Sequence, residues 1–184
     1  MRIPVAGFDP SLRNWGISEA QLDLNTGVLS TTVLSLISVK DETGKQVRKN
    51  SQDLHIAEQL AVAALAVARR SKVIFVECPV GSQSARAMAS YGICVGVLGA
   101  IRAEGIPLIE VSPTEVKQVF TGNKNATKEQ MIAKAVELYP EANFPRHRGE
   151  LAAKCEHVAD ATAAIHAGVR TPVFQQLMRL LAKV

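Results

Sequence analysis

Aromatic residues make up only 4% of this chain of 184. With so few rings the core must be built from Ala, Val, Leu and Ile, and a dedicated single-strand binder, which stacks bases on aromatic faces, is disfavoured. Cysteine is scarce too. Cys78, Cys94 and Cys155 are widely spaced and form no CxxC pair, so neither a zinc site nor a disulfide framework is indicated and a reducing compartment is expected. No run reaches the roughly 18 uninterrupted apolar residues of a membrane span; the longest candidates, 60–68 and 92–101, read as buried helix. Asp9 comes too early for a signal peptide, and the start lacks an Arg- and Ser-rich presequence.

What is present points to a globular α/β protein. A hydrophobic share of 47% with 21% charged residues is that of a soluble folded chain rather than a disordered one. Its length suits one domain, 1–184, with a real core. The net charge of +4 is compatible with a polyanionic partner but does not establish one.

Residues 3–8 read as a buried strand, 17–24 and 28–39 as two more, with Asn25-Thr26-Gly27 as the turn between them. A basic loop is expected over 40–50. Ser51 or Asp53 can cap a helix running to Arg70, whose apolar residues recur at helical spacing. Residues 73–76 form a continuous apolar strand, as when both sheet faces are covered. A second helix spans 84–104; its Gly92, Gly96 and Gly99 each cost about 1 kcal/mol of helix propensity relative to Ala, so close packing is expected to compensate. A strand over 108–111 follows, and Ser112-Pro113-Thr114-Glu115 is a capping-box helix start. Helices are expected over 127–138, 150–167 and 172–184, with a Pro- and Arg-bearing loop over 140–149. The resulting fold is α/β: a mixed five-stranded sheet, three antiparallel strands then two parallel, with helices on both faces.

Two strands end in carboxylates, Asp9 and Glu77. If those strands are adjacent and parallel, both acids emerge at one rim. On the late helix, His157 and Asp160 are three apart and Glu156 and Asp160 four apart, so either pair shares a face. Blander readings exist: Asp9-Pro10-Ser11 is a good turn starter, Glu77 can reach water from a strand end, and the late acids can form a solvated stripe. Taken together, the groups make an oxygen-rich pocket suited to divalent cations. Two such ions about 3.5–4 Å apart can activate water against an anionic phosphodiester.

Gly7-Phe8-Asp9-Pro10-Ser11 with Gly16, Val76-Glu77 after the first long helix, and His157-Val158-Ala159-Asp160-Ala161 resemble the three acidic motifs of RuvC-type Holliday junction resolvases. Val116-Lys117-Gln118, Gly122 and Ala126-Thr127-Lys128 resemble the same family, so the matches span nearly the whole chain. The resemblance implies a ribonuclease-H-like fold, a homodimer, and paired nicking of four-way DNA junctions with Mg²⁺ or Mn²⁺, two ions per site. It implies Asp9, Glu77, His157 and Asp160 as catalytic metal ligands. Lys117 and Lys128 are implied near the phosphates, Lys124 is a candidate nucleic-acid contact read from its charge, and Glu156 is an extra acid beside the motif.

A phage or viral member fits as well as a bacterial one. The cytoplasm, at the nucleoid or inside a host, is the expected location. Val80 stands where some relatives carry an aromatic wedge, which implies broader branched-DNA cleavage than strict four-way selectivity. Lys40, Lys45, Arg48, Lys49, Arg146 and Arg148 are further candidates for backbone contacts, though an ordinary solvated charge is the favoured reading of each taken singly. A flap or RNA–DNA hybrid nuclease on the same scaffold and a catalytically silent DNA-binding protein stay open. A sugar-kinase-like or actin-like nucleotide binder is ranked below both, for want of a glycine-rich phosphate loop and a second lobe.

Overall fold

The computed structural model describes residues 1–41 and 48–181. Gly44 and Lys45, expected in a basic loop, lie outside the described residues. The elements run β1 (Arg2–Asp9), β2 (Asn14–Asp23), β3 (Leu29–Ser38), α1 (Lys49–Ala68), β4 (Val73–Glu77), α2 (Ala85–Ala103), β5 (Leu108–Val111), α3 (Pro113–Thr121), α4 (Lys128–Leu138), β6 (Arg146–His147), β7 (Glu150–Leu151), α5 (Cys155–Gly168) and α6 (Pro172–Leu181). The five-stranded sheet has the order β3-β2-β1-β4-β5. Strands β1 to β3 are antiparallel neighbours, while β4 lies parallel to β1 and β5 parallel to β4. This is the mixed sheet that the sequence implies. Among the described residues no helix is long and apolar enough to cross a membrane.

Strand alternation decides which helix each residue meets. In β1, Ala6 and Phe8 enter the cluster shared with Ile56 and Leu60 of α1 and Cys94 and Ile101 of α2. Gly7 points the other way, against Ala161 of α5. In β4, Ile74 and Val76 join the α1/α2 layer and Val73 and Phe75 the opposite one. Both strands are therefore apolar on both faces, which is why they read as unbroken runs. The same alternation carries Asp9 and Glu77 to the α5 face.

Glycine sets how closely α5 approaches the sheet. A Cβ on Gly7 would lie 1.9 Å from the Ala161 carbonyl oxygen, and one on Gly16 would lie 2.0 Å from that of His157. Neither backbone can yield without lifting the helix. Gly16→Ala is therefore expected to cost at least about 2–3 kcal/mol of stability through overpacking, read as a lowered denaturant midpoint. An unchanged midpoint would mean that α5 does not sit as described.

Some local expectations change. Gly92, Gly96 and Gly99 of α2 have nothing within 4 Å of a built Cβ. They lie on the outer, exposed face of the helix, beside Met88 and Val95, so no packing among the described residues offsets their propensity cost. Helix α1 starts after Arg48 with no side-chain cap; Asp53 instead receives Arg86 at 2.7 and 2.9 Å and Lys49 at 3.3 Å, clasping α1 to α2. The helix expected from 150 begins at Cys155, because Glu150 and Leu151 pair with Arg146 and His147 in a short hairpin. His166 is a packing residue, 2.6 Å from the Tyr139 hydroxyl, and burial pushes its imidazole down to about 4. The Ser112–Glu115 capping box forms as expected.

Candidate active site

Parallel pairing of β1 with β4 places Phe8 opposite Val76. Asp9 and Glu77 each follow by one residue, so both carboxylates leave the sheet at the same rim. Helix α5 crosses this rim by its N-terminal turns, which the bare backbone at Gly16 admits. His157 Nδ1 there lies 2.7 Å from Asp9 Oδ2, and Asp160 stands one turn further along α5.

Burial and like charge define the electrostatics. Desolvation, then Asp160 and Asp9, push the Glu77 carboxyl up to about 8, opposed by Lys117. Desolvation, then Asp9 and Glu156, push Asp160 up to about 7, opposed by His157 and Lys117. The hydrogen bond that the His157 ring donates to Asp9 raises its imidazole against the desolvation that lowers it. The site thus holds more negative charge than its cations neutralise, in surroundings that penalise every ionised group.

The candidate ligands and the lysines expected beside them all fall within the described residues. Asp9, Glu77, His157 and Asp160 come together. Glu156 turns aside: its Oε2 binds Lys128 Nζ at 2.5 Å, and its Oε1 lies 3.6 Å from His157 Nε2. Lys128 is therefore engaged by a carboxylate. Lys117 is half-buried and acts on both Glu77 and Asp160. Lys124 is exposed in the turn between α3 and α4, away from the acids. Asp9, Glu77 and His157 open onto a cleft of 640 Å³ whose walls include Arg13, Lys49, Arg86 and Val80. Sequence reading gave Arg13 and Arg86 no role; both are held by aspartates, Arg13 by Asp41 at 2.5 Å and Arg86 by Asp53. Their signal lay only in contacts 28 and 33 residues apart.

The donor set suits a hard divalent cation: three carboxylates and one imidazole, with surplus negative charge and little water to disperse it. Among the described residues no three such side chains already converge on one ligation point, so the groups are neighbours rather than a closed cage.

The arrangement of this sheet and its helices is that of RuvC. A Thermus thermophilus RuvC structure superposes with a TM-score of 0.65 at 20% identity, covering 96% of both chains. A second, described as T. thermophilus RuvC in complex with Holliday junction substrate, gives 0.67 at 18% identity over 95% of this chain and 96% of that one. In sequence, the chain is 36% identical over 137 residues to the crossover junction endodeoxyribonuclease RuvC of Anaeromyxobacter dehalogenans, covering 71% of this chain and 66% of that protein. It is 39% identical over 57 residues to the Porphyromonas gingivalis protein of the same name, 30% of each chain. The aligned regions thus span less than two thirds of these curated relatives. No protein-family profile matches the sequence. The sheet and its acidic rim define a RuvC-like fold, and the sequence similarity to RuvC proteins, over part of their length, points the same way.

Proposed function

We propose that this chain, acting as one nuclease domain over 1–184, is a metal-dependent endonuclease that resolves four-way DNA junctions by paired symmetric nicks. The observation that carries this reading is the gathering of Asp9, Glu77, His157 and Asp160 at one sheet rim, with surplus buried negative charge. Asp9, Glu77, His157 and Asp160 would hold two ions, Mg²⁺ or Mn²⁺. Bound there, the ions would activate the attacking water and neutralise charge on the phosphate and leaving oxygen. The reaction leaves 5′-phosphate and 3′-hydroxyl ends.

The protein's own groups do the positioning. Asp9 fixes the His157 ring through its 2.7 Å contact. Lys117, beside the acids, meets the phosphate next to the cut. Lys128 exchanges Glu156 for a phosphate when DNA arrives, and Lys124 contacts the backbone further out. Two copies supply two sites for symmetric cuts, and the open glycine face of α2 is the surface they would share. A synthetic four-way junction incubated with the protein and Mg²⁺ or Mn²⁺ tests the reading directly. Failure to cut with either metal would favour a silent DNA-binding protein.

A looser variant of the same function is favoured by Val80, which is 82% exposed and lines the cleft. A small aliphatic group at that place has no flat face to stack in an opened junction. Forks and flaps are therefore expected to be nicked alongside junctions. Intact forks and flaps under conditions that cut every junction would contradict this.

A further inference from the structure

We propose that the β6–β7 hairpin is a second DNA grip, a cationic finger that takes phosphates beside the site. The inference rests on the nuclease reading and adds a surface outside the acidic motifs. Arg146, His147 and Arg148 are all exposed on its outgoing strand and turn, and Lys154 is exposed just beyond it. Many of the surface arginines elsewhere are held by acids. Arg2, Arg13, Arg69, Arg70, Arg86 and Arg102 each lie against a carboxylate. Among the described residues Arg146, Arg148 and Lys154 take part in no ion pair. Arg48, Arg170 and Arg179 likewise take part in none among the described residues, but the hairpin gathers Arg146, Arg148 and Lys154 in one short exposed segment, open to an outside anion.

The hairpin is also anchored, so its charges are held in place rather than trailing. On one side Asn143 bonds both the backbone N–H and the carbonyl of Leu34 at 2.8 Å, tying the approach to edge strand β3. On the other, Ala152 N–H and the Cys155 thiol donate to the Pro145 carbonyl at 2.9 and 3.0 Å, fixing the base to the start of α5. That end of α5 carries Glu156 and His157, so the finger rises from the catalytic rim. At the turn, Arg148 has φ 51°, the positive region that side-chain-bearing residues rarely adopt. Arg146 donates to the Gly149 carbonyl at 2.9 Å and closes the turn around it. Strain held by a rigid base, at a side chain with no internal partner, fits a contact residue.

The test measures four-way-junction affinity across a salt series, in Ca²⁺ to hold off cleavage, for Arg146→Gln/Arg148→Gln. A control, Arg69→Gln/Arg70→Gln, removes the same charge at the far end of α1. Loss of two phosphate contacts should weaken binding about 10-fold or more and lower the log–log salt slope by about 1.5–2, with the control slope unchanged. Cleavage of saturated junction should proceed at the unaltered rate. An unchanged affinity and slope would overturn the inference while leaving the nuclease reading intact. So would an altered oligomeric state with unchanged junction affinity, which would assign the finger to a protein contact. Should the unaltered protein bind no junction, the nuclease reading and this inference fall together.

Discussion

Asp9→Asn should reduce cleavage of a four-way junction by about 10³-fold or more, roughly 4 kcal/mol of transition-state stabilisation, while junction binding measured without cleavage is retained. Asp9 has two tasks, and both depend on its charge, which a neutral amide lacks. It contributes charge to a site meant for divalent cations, and its Oδ2 holds His157 Nδ1 at 2.7 Å. Removing its charge leaves Glu77 and Asp160 as the remaining carboxylates beside His157 at the rim. Loss confined to the chemical step fits a ligand of the metals; a parallel loss of binding would point to a folding defect. Cleavage at the unaltered rate would place the active site elsewhere.

The second large effect concerns stability, and its sign runs against the usual expectation for deleting buried polar groups. Glu77 is pushed up to about 8 from an ordinary 4.5, and Asp160 up to about 7 from 3.8. With folded-state values above the unfolded ones, the folded protein binds extra protons between those limits. The contribution of these two groups is therefore fully present below about pH 4 and is lost as the pH rises toward 8. At about 1.4 kcal/mol per unit, the penalty at pH 8 is a few kcal/mol. The two acids share one mutual repulsion, so their penalties do not simply add.

In EDTA at pH 8, Glu77→Gln should consequently melt above the unaltered protein, and the gap should close toward pH 4. Adding Mg²⁺ should raise the unaltered protein far more than Glu77→Gln. A metal-free protein that is destabilised at pH 8 by Glu77→Gln would contradict the electrostatic account.

The site was legible because its residues break local rules. Asp9 and Glu77 end runs that are otherwise fully apolar, and alternation alone fixes the face they share. Asp160 stood out as a charge among alanines on α5. The sheet order followed from three strands with turn chemistry and then strand–helix units.

Other features depend on neighbours distant in the chain. Nothing local announces that Lys128 is held by Glu156 across α4 and α5, or that Asp53 clasps Arg86 rather than capping α1. The hairpin escaped notice because strands of two residues show no alternation, and Arg-His-Arg-Gly reads as loop. The α2 glycines misled in the opposite sense. Three glycines on related faces imply a close neighbour, yet among the described residues that face is open. A packing rule read from sequence does not say whether the neighbour belongs to the same molecule. By contrast, Gly7 and Gly16, inside strands, do mark close backbone approach.

The central claim is that the rim carboxylates hold divalent cations. Crystals soaked in Mn²⁺ and measured for anomalous scattering test it most directly. The expected result is strong density within ligand distance of Asp9, Glu77 and Asp160, with His157 at its edge, lost in Asp9→Asn crystals. Density confined to other surfaces, or none at saturating Mn²⁺, would contradict it.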